Sequence, residues 1–108
     1  MNSTVEATTT SNTSAIPNTS KSVAAKQYLI DVRSPQEFAS GHIPGSLNVP
    51  LQTIFAVANS DIQPQDSLIV YCASGMRATQ AVQILESMGY RNIVNAGTLS
   101  AASDYISQ

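Results

Sequence analysis

Cys72 is the chain's single thiol, and its neighbours have the types and spacing that a nucleophile needs. The run Leu68-Ile69-Val70-Tyr71-Cys72 is apolar without alternation, the pattern of a strand covered on both faces. A helix is predicted just after it. A cysteine between strand and helix lies at the carboxyl end of the strand, where open α/β sheets bind ligands. Gly75 lets the intervening loop Cys72-Ala73-Ser74-Gly75-Met76-Arg77 curl. Its backbone N–H groups can then surround the sulfur. The helix start adds about half a positive charge, which favours thiolate over thiol. The same cradle suits an anion delivered to that sulfur.

Arg77 falls in the first helical turn, where the dipole disfavours a cation by roughly 0.3–1 kcal/mol. An anion nearby, either the thiolate or a substrate oxyanion, offsets that cost. The competing reading is a buried, inert Cys72 with Arg77 reaching solvent. Asp31 and Arg33 end a second strand at the same sheet edge, where a structural role, orienting the loop by hydrogen bonds or a salt bridge, is favoured over substrate contact. Glu37 is expected on a helix surface or as a loop anchor, and Met76 as a wall of the pocket.

Composition narrows the classes of function. With 108 residues the chain is one domain at most. A net charge of −2, with basic residues scattered at 21, 26, 33, 77 and 91, gives no stripe for nucleic acid. One Cys and one His exclude an internal disulfide and a structural zinc site, which takes about four ligands. Neither metal nor cofactor is therefore expected. No apolar run approaches the ~20 residues of a membrane span, and no signal peptide is visible. Action as a cytoplasmic monomer, away from membranes, is the expectation.

The elements that position the cysteine follow from local patterns. Residues 1–26 hold eleven Ser or Thr and few large apolar side chains, so a disordered segment is expected there, with the domain at 27–108. Tyr28–Arg33 is a β-prone run. Ser34-Pro35 offers an N-cap and a proline at the first helical position, for a helix over 35–40 that ends at Gly41. Ser46–Val49 reads as a brief strand closed by Pro50. Leu51, Ile54, Phe55 and Ala58 make the stripe of an amphipathic α-helix over 51–59, and Gln63–Asp66 is turn chemistry. Ala78, Ala81, Val82, Leu85 and Met88 form the apolar face of the helix after the loop, stopped by Gly89. Ile93-Val94 is a further strand and 99–106 a closing helix. Alternating strands and helices predict an α/β fold, three layers deep, with a mainly parallel sheet of about four to five short strands.

Several motifs, in order, carry a resemblance. Leu29-Ile30-Asp31-Val32-Arg33, Glu37-Phe38, Gly41-His42-Ile43-Pro44-Gly45-Ser46, Asn48-Val49-Pro50 and Cys72-x-x-Gly75-x-Arg77 together resemble a rhodanese-like domain. Met88-Gly89-Tyr90 and Asn95-Ala96-Gly97 extend the likeness over roughly residues 28–98. The brevity is similar to that of small single-domain members. Departures are Ala73, where thiosulfate-preferring members often carry a cation, Thr98 in place of a second Gly, and the absence of Trp.

The resemblance implies a thiosulfate-type sulfurtransferase. The Cys72 thiolate would take the outer sulfur from a small anionic donor and hold it as a persulfide. A thiol or cyanide acceptor would then remove it. Amides of Ala73, Ser74, Gly75, Met76 and Arg77 would bind that sulfur, with help from the Ser74 hydroxyl. Asp31 and Arg33 would support the loop from behind. His42 would be part of a structural turn instead of a base. The alternatives are a carrier or partner-binding module without turnover and, less favoured, a cysteine phosphatase. Such phosphatases place five residues between Cys and Arg, whereas four separate Cys72 from Arg77.

Overall fold

A computed structural model describes residues 25–107. The segment expected to be disordered, apart from residues 25 and 26, lies outside the described residues. Four strands form one wholly parallel sheet: β1 (Gln27–Asp31), β2 (Leu47–Asn48), β3 (Ser67–Cys72) and β4 (Asn92–Thr98), in the order β2-β1-β3-β4. The helices are α1 (Pro35–Ser40), α2 (Met76–Ser87) and α3 (Leu99–Ile106), with a 3-10 helix over Leu51–Asn59. This is the predicted α/β architecture.

Because all strands run the same way, their carboxyl ends share one edge, and the residues after β1 and β3 meet there. β3 is central, and all but its first residue are buried. Its side chains alternate between two cores. Leu68, Val70 and Cys72 join Ile30, Val32, Ile54, Val57, Ala78, Ala81 and Leu85 beneath the 3-10 helix and α2. On the other face, Tyr71 packs with Ile43 and Ala102 beneath α3. Two apolar faces covered by helices make the three layers, and each fully buried aliphatic side chain contributes about 1.5–3 kcal/mol.

The loop from Gly41 to Ser46 is held by polar contacts. The Tyr71 hydroxyl donates to Ser46 Oγ (3.2 Å) and accepts from the Ile43 N–H (3.2 Å). Burial pushes the Tyr71 phenol above its ordinary range. Asp31 and Arg33 form a buried ion pair at 2.8 Å. Arg33 also donates to the Gly41 carbonyl, and Asn48 Nδ2 to the Asp31 and Arg33 carbonyls. The end of β1 is thereby locked to β2 and the α1–β2 loop. At the opposite edge, the Asp66 carboxylate accepts from the backbone N–H groups of Gln63 and Lys26, which closes the predicted turn.

Residues 51–59 depart from the expectation. The segment is a 3-10 helix with a kink at Thr53 (φ −118°, ψ 21°), and it buries Ile54 and Val57 with Leu51 packed beside them. Phe55, placed on the apolar stripe by the α-helical period, is 62% exposed, and Ala58 is also exposed. A 3-10 helix has about three residues per turn, so positions 51, 54 and 57 align where an α-helix would align 51, 54, 55 and 58. Ile54→Ala should therefore cost about 2–5 kcal/mol in urea-monitored unfolding. Phe55→Ala should stay within about 0.5 kcal/mol. The reverse order would restore the α-helical register.

Candidate active site

Cys72 ends β3, and α2 begins four residues later. Between them Gly75 takes φ +95° as the N-cap of α2, with no side-chain cap. A Ser or Asp at that position would satisfy first-turn amides with its own oxygen. Gly75 has none to offer. Instead the Gly75 N–H donates to Cys72 Sγ at 2.9 Å and the Ala78 N–H at 3.4 Å. The sulfur serves as the cap of the helix that follows it.

The sulfur is wholly buried, within the core beneath α2. Above it Ala73 and Ser74 are exposed. Met76 is 72% exposed and stands at the rim of the loop, not in the wall of a cleft. The sequence's choice between a cradled sulfur and one facing the apolar interior resolves into both: the sulfur packs among apolar side chains and also accepts amide hydrogens.

Arg77 lies in the first turn of α2 as predicted, but its guanidinium is engaged with Glu37 of α1. Nη1 donates to Oε1 at 2.7 Å and Nη2 to Oε2 at 3.0 Å, the fork geometry that arginine forms with a carboxylate. The pair is about one-third exposed. Glu37 holds the Arg77 pKa up, and Cys72 adds a smaller contribution in the same direction. Glu37 also completes a capping box: its Oε1 accepts from the Ser34 N–H (3.1 Å), while Ser34 Oγ accepts from the Glu37 N–H (3.2 Å). The Ser34-x-x-Glu37 spacing carries that signal in the sequence, but nothing local connects Glu37 to Arg77 forty residues on.

A second support comes from β4. Its register against β3 shifts after Val70, leaving Ala96 extra between Asn95 and Gly97. Gly97 takes φ +81°, its N–H donates to Asn95 Oδ1 (3.0 Å), and Asn95 Nδ2 donates to Thr79 Oγ1 (3.1 Å). Thr79 in turn donates to the Gly75 carbonyl through both Oγ1 and its backbone N–H. The bulge thus braces the first turn of α2. A lone Gly in a strand is the sequence mark of a bulge.

Asp31 and Arg33 stand at the same edge, as expected, yet their bonds go to each other and to the backbone on the far side of β1. His42 is exposed, with Nδ1 on the Phe38 carbonyl (2.8 Å) and its ring stacked on Phe38 at 3.6 Å. No group of three or more His, Cys, Asp or Glu residues fit to hold a metal occurs among the described residues. No helix there is long and apolar enough to cross a membrane.

The pattern of the rhodanese-like domain matches residues 16–97. The chain belongs to the rhodanese-like domain family. The thiosulfate sulfurtransferase PspE of Escherichia coli is 37% identical over 78 residues, which cover 71% of this chain and 75% of that protein. The thiosulfate:glutathione sulfurtransferase of Saccharomyces cerevisiae is 41% identical over 76 residues, 59% of this chain and 55% of that protein. Among solved structures, an E. coli rhodanese with anions superposes with a TM-score of 0.66 at 36% identity, covering 69% of this chain and 89% of that one.

In this rhodanese domain the Glu37–Arg77 contact has a measurable signature. Arg77, and then the Ser34 N–H, hold the Glu37 carboxyl at about 2, below its ordinary 4.5. With the folded value below the unfolded one, the contact supports the fold fully above about pH 4.5 and is lost as pH falls through about 2. A carbon-detected NMR titration should place the Glu37 midpoint near 2, and Arg77→Ala should move it back toward 4.5. A midpoint that stays low in the variant would assign the shift to the Ser34 cap.

Proposed function

We propose that this domain is a sulfurtransferase that carries sulfane sulfur on Cys72, with thiosulfate or a similar donor. The observation that carries the reading is the convergence of the Gly75 and Ala78 amides on Sγ. N–H donors held in place before reaction stabilise negative charge at that atom, and at a second sulfur bound to it, without reorganisation. The amides of Ser74, Met76 and Arg77 have no protein acceptor among the described residues. They are free to meet the outer sulfur, as first-turn amides meet anions elsewhere. The names of the E. coli and yeast relatives support the same chemistry.

In the first half-reaction the Cys72 thiolate attacks the outer sulfur of thiosulfate. A new S–S bond forms on Cys72, the donor's S–S bond breaks, and sulfite leaves with its electron pair. In the second, cyanide or a thiolate attacks the outer sulfur of the Cys72 persulfide and departs as thiocyanate or a new persulfide, restoring the thiolate. This is covalent catalysis with ping-pong kinetics. Because Sγ is covered, the donor must approach from the side of Ala73 and Ser74, whose side chains are exposed, while the Gly75 turn keeps its amide on the sulfur.

That same coverage favours a second reading, a carrier that yields its sulfur only to a dedicated acceptor. Thiosulfate treatment should add one sulfur atom to Cys72 by mass spectrometry under either reading, and thiocyanate released on adding cyanide marks turnover. Cys72→Ser should abolish thiocyanate formation while keeping a folded circular dichroism spectrum, with a lower urea midpoint because a hydroxyl enters an apolar, buried site. Turnover retained by that variant would end the proposal.

A further inference from the structure

The cations of the site are already spent. In a parallel sheet Lys26, just before β1, and Arg91, just before β4, lie at the amino edge, away from Cys72. Among the described residues the strand ends facing the loop bring Arg33 and Arg77 to the carboxyl edge. Arg33 is buried against Asp31 at 2.8 Å, and Arg77 is forked onto Glu37. Ala73, Ser74, Gly75 and Met76 are uncharged. His42 stacks on Phe38 in an exposed turn, with Nδ1 on the Phe38 carbonyl. With Cys72 as thiolate, this group carries two positive and three negative formal charges. Beyond the loop amides, the formal charges of this group offer an approaching dianion no net attraction.

The rim adds a second observation. Met76 exposes most of a thioether side chain within the loop. An organic leaving group can cover that apolar surface, whereas sulfite has no apolar part to place there.

We infer that Glu37 is a donor-selecting residue: by occupying Arg77 it lowers the domain's use of dianionic thiosulfate relative to organic persulfides, R–S–SH, which carry one negative charge or none. The inference rests on the sulfur-transfer reading above and narrows its donor class. The Cys72 thiolate attacks the terminal sulfur of R–S–SH and forms the new S–S bond. The donor's S–S bond breaks and its electron pair leaves with R–S⁻, which takes the proton from the transferred sulfur. The products are the Cys72 persulfide anion and R–SH, with no external oxidant or reductant. Glu37 touches neither reactant; it acts through Arg77 and is a positioning residue.

The test measures the second-order rate of Cys72 persulfidation in the full chain by acid quench and mass spectrometry. The donors are thiosulfate and hydroxyethyl persulfide, at low and high ionic strength. In the wild type, the thiosulfate rate should be flat or rise with salt, because the formal charges of the site offer a dianion no net attraction. Glu37→Gln keeps an acceptor oxygen for the Ser34 N–H but releases the Arg77 charge. It should raise the ratio of thiosulfate to persulfide rates by about three- to tenfold, with the thiosulfate rate now falling as salt rises. A purely structural role for Glu37 would move both donors together and leave the ratio and salt slope unchanged, which overturns the inference. A wild-type thiosulfate rate that falls steeply with salt overturns it as well, and that arm decides the matter if Glu37→Gln does not fold. If neither donor persulfidates Cys72, the sulfur-transfer reading itself is wrong and the inference falls with it.

Discussion

The left-handed turn at Gly75 is the constraint on which this edge of the molecule depends. A strand that runs into a helix must reverse its amide direction within a few residues. Here Gly75 does so at φ +95°, a conformation that costs a β-carbon-bearing residue about 1–2 kcal/mol. Space is not the limit, since a Cβ there would sit 3.8 Å from Gly97 Cα, an ordinary contact. The turn brings the Gly75 and Ala78 amides back onto the sulfur that precedes them. Loop and helix cap become one structure, built around Cys72 Sγ.

Polar bonds, not burial, place α1 against this edge. None of its residues is buried, so its position follows from the Ser34–Glu37 capping box and the fork between Glu37 and Arg77. Asp31 and Arg33 do comparable work deeper down, where removing one partner would strand a charge in the interior, a loss of about 3–5 kcal/mol. The domain thus uses one ion pair to fix its β1 end and another to fix the helix beside its nucleophile. The second is about one-third exposed and lies outside the sheet.

The parts of this architecture that a sequence reader can find are those written in local pattern. The unbroken apolar run Leu68–Cys72 announced a strand covered on both faces, and β3 is one. Ala78, Ala81 and Leu85 announced the buried face of α2. The segment 51–59 misled because Leu51, Ile54, Phe55 and Ala58 satisfy an α-helical period, while the chain followed the equally available period of three through Val57. Long-range partners were invisible for a different reason. Glu37 and Arg77 are forty residues apart, and Asn95 and Thr79 sixteen. Their union is a property of the packed sheet, and no short window of sequence contains it. The depth of Cys72 was legible only in part: its strand predicted burial and its loop predicted amide contacts, and the fold grants both.

The shortness of β2 has a consequence for the molecule's behaviour in a crowd. An outer strand of a sheet displays unpaired N–H and C=O groups that invite a neighbouring chain to add itself as the next strand. β2 spans only Leu47–Asn48, and Pro50, which has no N–H to donate, follows within two residues. Any strand arriving on that side would find too few backbone bonds to settle. Among the described residues, the last strand on that flank thus offers an arriving chain little backbone to pair with.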